Sequence, residues 1–116
     1  MVQVMMQVPD QLAEQILPVC RWLPVVLELG LARLRTPAAQ TSAVIIDFLL
    51  GNPTPEEVMG YHASDRSQEQ LRRLFALNSA GLLGEAEQAE LTELEHLEHI
   101  IIMLKAQVAS QTKQAS

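Results

Sequence analysis

The stretch that decides the fold is MVQVMMQVPDQLAEQI, residues 1–16, in which an alternating apolar segment runs into an amphipathic helix. Alternation over residues 2–8 is typical of a strand, whose successive side chains point to opposite faces. Pro9 ends the strand pattern, and Asp10 is placed to cap the helix that follows. Because a single strand cannot satisfy its own backbone hydrogen bonds, the pattern predicts pairing with a second strand, most simply from a second copy of the chain.

The two faces of this predicted strand have different compositions. One face is apolar and is expected to face the helices and form the dimer contact, through Val4, Met6 and Val8. The other face carries the candidate DNA-binding residues Gln3, Met5 and Gln7. Glutamine can form two hydrogen bonds with adenine, and methionine can contact the methyl group of thymine. The alternative is a strand that serves only for dimerisation or adds to the sheet of a partner.

The rest of the chain is predicted to be helical. Apolar spacing, proline positions and capping residues indicate helices over about 10–22, 24–35, 38–50, 55–60, 65–78 and 85–109, with Pro18 kinking the first or ending it early. The predicted class is therefore mainly all-α, with five or six helices, one short N-terminal β-strand paired in a dimer, and a long C-terminal helix. We expect residues 1–36 to form a strand–helix–helix dimerisation part that could also bind DNA. Residues 37–112 would form a helical partner-binding part, and residues 113–116 a frayed tail.

Composition and charge restrict the function classes. The chain has a net charge of −6, and residues 85–98 hold six glutamates without a lysine or arginine. This balance argues against broad coating of nucleic acid, although a narrow DNA contact from the neutral N-terminal part stays possible. The single cysteine, Cys20, permits no internal disulfide and is expected to be a buried, inert thiol. No basic leader and no apolar run of membrane-spanning length occurs in the sequence, so we expect a cytoplasmic protein without membrane contact.

The long C-terminal helix carries an apolar seam with spacings of three and four residues. With two flanking glutamates, this seam is the predicted partner-binding face, formed by Glu93, Leu94, Leu97, Glu98, Ile101, Leu104 and Val108. The alternative is that the seam packs on helices of its own chain. The sequence leaves both interpretations open.

The same helix holds the one pattern that suggests a metal. Glu93 and His96 have the E-x-x-H spacing of di-iron carboxylate bundles, and His99 lies one turn further on. The di-iron pattern needs a second E-x-x-H helix, which the sequence lacks, so a solvated acidic helix is the better interpretation. We predict no cofactor. Since neither a nucleophile motif nor a glycine-rich phosphate loop occurs, we also expect no enzymatic activity.

The N-terminal order of strand, helix and helix resembles the ribbon-helix-helix DNA-binding proteins, which insert a two-stranded ribbon into the major groove. The resemblance is carried by the alternating strand, by VPDQLAEQI (8–16) and by LPVVLELGLARLR (23–35). Two features differ from that family. The outward strand face has no lysine or arginine, and the turn RWLP (21–24) lacks a polar, glycine-containing segment.

Four segments, two of them within the stretches 8–16 and 23–35, are similar to a group of small antitoxin-like proteins of cyanobacteria and other bacteria: Val8 to Asp10, Leu23 to Leu31, Pro53 to Glu57, and Glu93 to Ala106. The resemblance implies the antitoxin half of a toxin–antitoxin pair, with a small nuclease-type toxin as partner. A nuclease presents cationic surface to phosphate, for which clustered glutamates can compete. We therefore hypothesise a non-enzymatic regulator that dimerises, neutralises a basic toxin and represses its operon through operator DNA. The alternative hypothesis is an oligomeric structural or adaptor module that does not bind DNA.

Overall fold

The computed structural model describes residues 1–115, with side chains through residue 111, and shows a helical protein assembled around one long helix. The helices are α1 (Asp10–Ile16), α2 (Leu23–Leu31), α3 (Ala38–Leu50), α4 (Pro55–Gly60), α5 (Asp65–Ser79) and α6 (Glu85–Ala115), with a 3₁₀ turn at Leu17–Val19 between α1 and α2. Helices α3, α4 and α5 each pack on α6, and α2 packs on α3. The predicted mainly helical class and the long C-terminal helix are confirmed.

The predicted N-terminal strand is not seen in the structure. Residues 1–9 have no regular secondary structure, and no strand occurs within residues 1–115. The physical reason is that a strand needs a neighbouring strand for its hydrogen bonds, and a single copy of this chain supplies none. Pairing between two copies therefore stays a prediction.

One hydrophobic core holds α2 to α6 together. Half of its fourteen clustered residues come from α6: Leu91, Leu94, Leu97, Ile100, Ile101, Leu104 and Val108. The shorter helices contribute few residues each, such as Leu29 of α2, Val58 of α4 and Leu74 of α5.

The radius of gyration, 16.4 Å, exceeds the roughly 13 Å of a compact domain of this length. At 1.5 Å per residue, α6 alone is about 46 Å long.

Several helix ends follow their predicted sequence signals. Thr54 caps α4 in a capping box, because its Oγ1 accepts from the N–H of Glu57 at 3.2 Å while its own N–H donates to the Glu57 carboxylate. Helix α5 ends in a Schellman motif, in which the N–H of Leu82 donates to the carbonyl of Leu77 at 2.9 Å. Gly81 takes the left-handed conformation that this motif requires, with φ of 72°.

Other boundaries differ from the predictions. Helix α2 ends at Leu31, short of Arg35, and Asp10 is the first residue of α1 and not its cap, since Pro9 occupies that position without a side-chain hydrogen bond. Helix α6 continues past the predicted end at residue 109 as far as Ala115. The tail predicted at 113–116 thus overlaps the end of α6, and its last residue lies outside the described part of the chain. Within that part, no helix combines the length and the apolarity needed to cross a bilayer.

Candidate functional site

The N-terminal arm, defined as residues 1–9, lies free of the helical body. The candidate DNA-binding residues Gln3, Met5 and Gln7 are exposed. The candidate dimerisation residues are also accessible, with Val4 78% and Met6 62% exposed and Val8 partly buried. Both faces of the arm therefore meet solvent in a single copy, and the predicted distinction between an inner and an outer face requires a partner.

Helix α1 shares this lack of packing. None of its residues is buried, and its main contacts are with the 3₁₀ turn that follows it. On its apolar side Leu12 is exposed and Ile16 is only partly buried. Cys20, just beyond the 3₁₀ turn, is exposed, so the predicted burial of its thiol is wrong. The reason is that Cys20 lies in a turn between helices and not on the buried side of one helix.

The apolar seam of α6 faces the core of its own chain. Leu94, Leu97 and Leu104 are almost completely buried, as are Ile101 and Val108. The structure thus supports the interpretation in which the seam packs on its own helices. All five side chains belong to the buried cluster of this chain, and three of them, Leu94, Leu97 and Ile101, also line a groove between α5 and α6.

The acidic residues of α6 divide into two sets. Three of them bind the chain itself: Glu87 forms an ion pair with Arg73 at 3.8 Å, Glu90 accepts hydrogen bonds from Gln70 at 3.3 Å, and Glu93 binds the α2–α3 linker. The remaining three, Glu85, Glu95 and Glu98, are exposed. Half of these six glutamates therefore stabilise the fold of this chain, and the other half are exposed to solvent.

Glu93 joins α6 to residues 35–36 through several hydrogen bonds. Its carboxylate accepts from the N–H of Arg35 at 2.9 Å, from the N–H of Thr36 at 3.2 Å, and from the hydroxyl of Thr36. The Thr36 hydroxyl also accepts from the N–H of Ala38, at the first residue of α3. In a longer α2, the N–H groups of Arg35 and Thr36 would donate to carbonyls of that helix. Here they donate to Glu93, which explains why α2 ends early.

These contacts lower the pKa of Glu93. Desolvation raises the pKa, but the hydrogen bonds from Thr36 and from the backbone of Arg35 outweigh it, helped by the charge of Arg35. Glu93 is therefore held as a carboxylate that binds its own chain, and it is not available to a partner as predicted. Burial raises the pKa of a second group, Tyr61, which stacks on Phe48 with ring centroids 4.5 Å apart.

The three weak metal candidates are not assembled into a site. Glu93 uses its oxygens on residues 35–36, while His96 and His99 are exposed. Within the described residues, no group of three or more histidine, cysteine, aspartate or glutamate side chains is arranged to hold a metal ion. In the E-x-x-H pattern, the glutamate therefore binds the α2–α3 linker and the histidine is exposed to solvent.

The structure contains a groove that the sequence reasoning missed. It encloses about 520 Å³ between α5 and α6, near the loop that joins α4 to α5. Its apolar walls include Leu71, Phe75 and Ile102, and its charged lining residues include Arg72 and Lys105. A second groove, of about 640 Å³, lies on the other side of α6 beside Met103. The signal in the sequence was the run of five apolar residues, 100–104, which is too wide for one seam.

Comparison with known proteins identifies no relative. No family model, curated protein or solved structure matches the chain.

Proposed function

We propose that the protein is a non-enzymatic, antitoxin-like regulator that acts as a dimer and neutralises a basic, nuclease-type toxin. The observation that carries the proposal is the N-terminal arm, whose alternating apolar residues are exposed in a single copy. Exposing such a segment to water is unfavourable, and its unpaired backbone can form a two-stranded ribbon with a second copy. Two arms paired in this way would place Gln3, Met5 and Gln7 together on the outer side, where operator DNA could bind.

The exposed glutamates supply the charge for the partner. Glu85, Glu95 and Glu98 lie on a chain of net charge −6, and the structure uses none of them in an ion pair within its described residues. A nuclease concentrates positive charge where it binds phosphate, so an acidic surface both steers its approach and covers its active site. The toxin as partner comes from the sequence resemblance and belongs to the proposal.

Affinity capture of the tagged chain from its native lysate tests the proposal. We expect a small basic protein to co-elute in stoichiometric amount and to regain nuclease activity when the chain is removed from it. Combined Glu85→Gln, Glu95→Gln and Glu98→Gln substitutions should weaken this complex. A matched substitution of Glu56, an exposed glutamate of α4, should not. Recovery of the chain alone would contradict the antitoxin function.

The arm is tested separately. Deletion of residues 2–8 should convert the dimer into monomers or aggregates. Combined Gln3→Ala and Gln7→Ala substitutions should leave the dimer intact but lower its affinity for DNA upstream of its own gene, measured by mobility shift. A dimer that survives the deletion would contradict pairing through the arm.

The second candidate function is an oligomeric adaptor that does not bind DNA. It is favoured by Glu87, Glu90 and Glu93, which stabilise the fold of this chain and so reduce the acidic surface left for a toxin. The two candidates differ in the mobility-shift experiment, because the adaptor shows no operator binding with or without the glutamine substitutions.

A further inference from the structure

The oxidisable sulfur atoms of this chain are concentrated at its N-terminal end. Three of the five methionines, Met1, Met5 and Met6, lie in the arm, and the single cysteine is Cys20. All three arm methionines are exposed, Met5 by 96% and Met6 by 62%. An exposed thioether is the form of methionine that peroxides oxidise readily, because the oxidant has to contact the sulfur atom.

The fold gives these sulfur atoms no protection in a single copy. Residues 1–8 form no hydrogen bond, ion pair or aromatic contact within the described part of the chain. None of them belongs to the buried hydrophobic cluster or packs against it. The accessibility of the arm methionines is therefore set by pairing with a second copy and by nothing in the chain itself.

Met5 and Met6 are consecutive, so a strand through the arm directs their side chains to opposite faces. In the proposed ribbon, Met6 lies on the inner apolar face with two valines, and Met5 lies on the outer face between two glutamines. One chemical modification of this dipeptide therefore alters both the surface that pairs the copies and the surface that faces DNA.

We propose that the arm is a reversible redox switch, in which peroxide oxidises Met5 and Met6 to methionine sulfoxide and thereby releases DNA and dissociates the dimer. The sulfur atom forms a bond to one oxygen of hydrogen peroxide while the O–O bond breaks. The other oxygen leaves as water with both hydrogens, and the peroxide gains the two electrons that the thioether loses. This proposal rests on the proposed dimer and its DNA contact, and it states how both are regulated.

The sulfoxide is unfavourable on each face for a different reason. Its S–O bond is strongly polar, so burying it between two apolar arms without a hydrogen-bond partner is costly. The predicted inner contact has three side chains per copy, Val4, Met6 and Val8, so one of the three becomes polar in each copy. On the outer face, oxidation of Met5 removes the apolar contact with a thymine methyl group.

The two methionines should react in a fixed order. In a paired ribbon Met5 stays on the outer face and open to peroxide, whereas Met6 is covered by the second copy. Oxidation of Met6 then requires the copies to separate, so its rate should fall as the protein concentration rises. Low doses of peroxide should lower the affinity for DNA first, and higher doses should dissociate the dimer.

Hydrogen peroxide treatment of the full chain in a Cys20→Ser background tests the proposal, since the exposed thiol would otherwise react as well. Peptide mass spectrometry identifies the oxidised methionines, light scattering after gel filtration gives the oligomeric state, and mobility shift gives the affinity for DNA upstream of the gene. We expect oxidation to raise the dissociation constant of the dimer about tenfold or more. Treatment with methionine sulfoxide reductase should reverse both effects.

Conservative substitutions separate the two faces. The ratio of each constant after and before peroxide is compared within each variant, so any effect of the leucine itself cancels. Met6→Leu should abolish the response of the dimer, Met5→Leu should leave that response in place, and the double variant should respond in neither assay. A matched control carries Met59→Leu with Met103→Leu, which removes the exposed methionines outside the arm (46% and 55% exposed). This control should respond as strongly as the parent chain.

Three results would overturn the proposal. The first is complete conversion of Met5 and Met6 to sulfoxide without a change in the dimer or in DNA affinity. The second is a double variant that responds as strongly as the parent chain. The third is a loss of helical circular dichroism on oxidation that the double variant shares, because the effect then originates in the helical body.

Failure of the switch and failure of the proposed function are distinguishable. A chain that is monomeric before oxidation refutes pairing through the arm, and the switch with it. A dimer that binds DNA and does not respond to oxidation refutes the switch alone. None of these results depends on finding a toxin, so the capture experiment tests the antitoxin function separately.

Discussion

Replacing Glu93 with alanine removes the link between α6 and the α2–α3 linker. Three hydrogen bonds to a carboxylate are lost, two from backbone N–H groups and one from the Thr36 hydroxyl. A buried hydrogen bond to a charged group stabilises a protein by about 1.5–3 kcal/mol. Here Arg35 is exposed and Thr36 only partly buried, so water can replace most of each bond. We expect a loss of about 2 kcal/mol in the free energy of unfolding, well below the sum of three buried bonds.

Urea denaturation followed by circular dichroism measures this loss. With a slope of about 2 kcal/mol per molar urea, the midpoint should fall by about 1 M. Glu95→Ala is the matched control, because Glu95 is an exposed glutamate of the same helix without a described hydrogen bond, and it should change stability by less than about 0.5 kcal/mol.

Hydrogen exchange distinguishes this local link from a general effect on the fold. The amides of Arg35 and Thr36 should exchange faster in the Glu93→Ala variant by more than amides of the α5 interior do. If both variants unfold at the same urea concentration, or if the amides at 35 and 36 keep their protection, Glu93 does not hold the linker and its low pKa needs another cause.

Three more predictions follow from burial and ionisation. The pKa of Glu93 is lower in the folded state than its ordinary value of about 4.5. The stability that the ionised carboxylate provides is therefore present above the ordinary pKa and is lost as the pH falls through the folded pKa. The difference in unfolding free energy between wild type and Glu93→Gln should be constant at neutral pH and shrink in acid. Leu49→Ala should lower the free energy of unfolding by about 2–5 kcal/mol, since Leu49 is fully buried. Leu50→Ala, at a position 47% exposed, should lower it by less than about 1 kcal/mol. If urea denaturation gives similar losses for both variants, α3 packs through another face. The thiol of Cys20 should react with a disulfide reagent in the native protein nearly as fast as in the denatured one, because it is exposed, and protection in the native state would place it in an interface.

Helix positions were predictable because their signals are local. Thr54 with Pro55 and Glu57 specifies a capped start within four residues, and Gly81 specifies a stop by its left-handed backbone. The end of α2 was not predictable in this way. It depends on the carboxylate of Glu93, which lies 58 residues beyond Arg35 in the sequence, and local periodicity carries no information about such a contact.

The candidate site was harder to predict than the fold. The spacing of Leu94, Leu97 and Ile101 correctly indicates a buried seam, but it does not say whether the burying surface belongs to the same chain. The glutamates present the same difficulty: nothing in their spacing separates Glu87, which pairs with Arg73, from the exposed Glu85. The residues of a groove come from separate helices, so Arg72 and Lys105 become neighbours of one cavity only after α5 packs on α6.

The position of α6 in the chain has a consequence for synthesis on the ribosome. Helices α3, α4 and α5 all pack on α6, yet its seven core residues, 91–108, are translated after every residue that they cover. The emerging chain can therefore form isolated helical turns and α2–α3 contacts, but it cannot close its core until residue 108 has left the exit tunnel. Throughout that interval its apolar surfaces are open to chaperones and proteases.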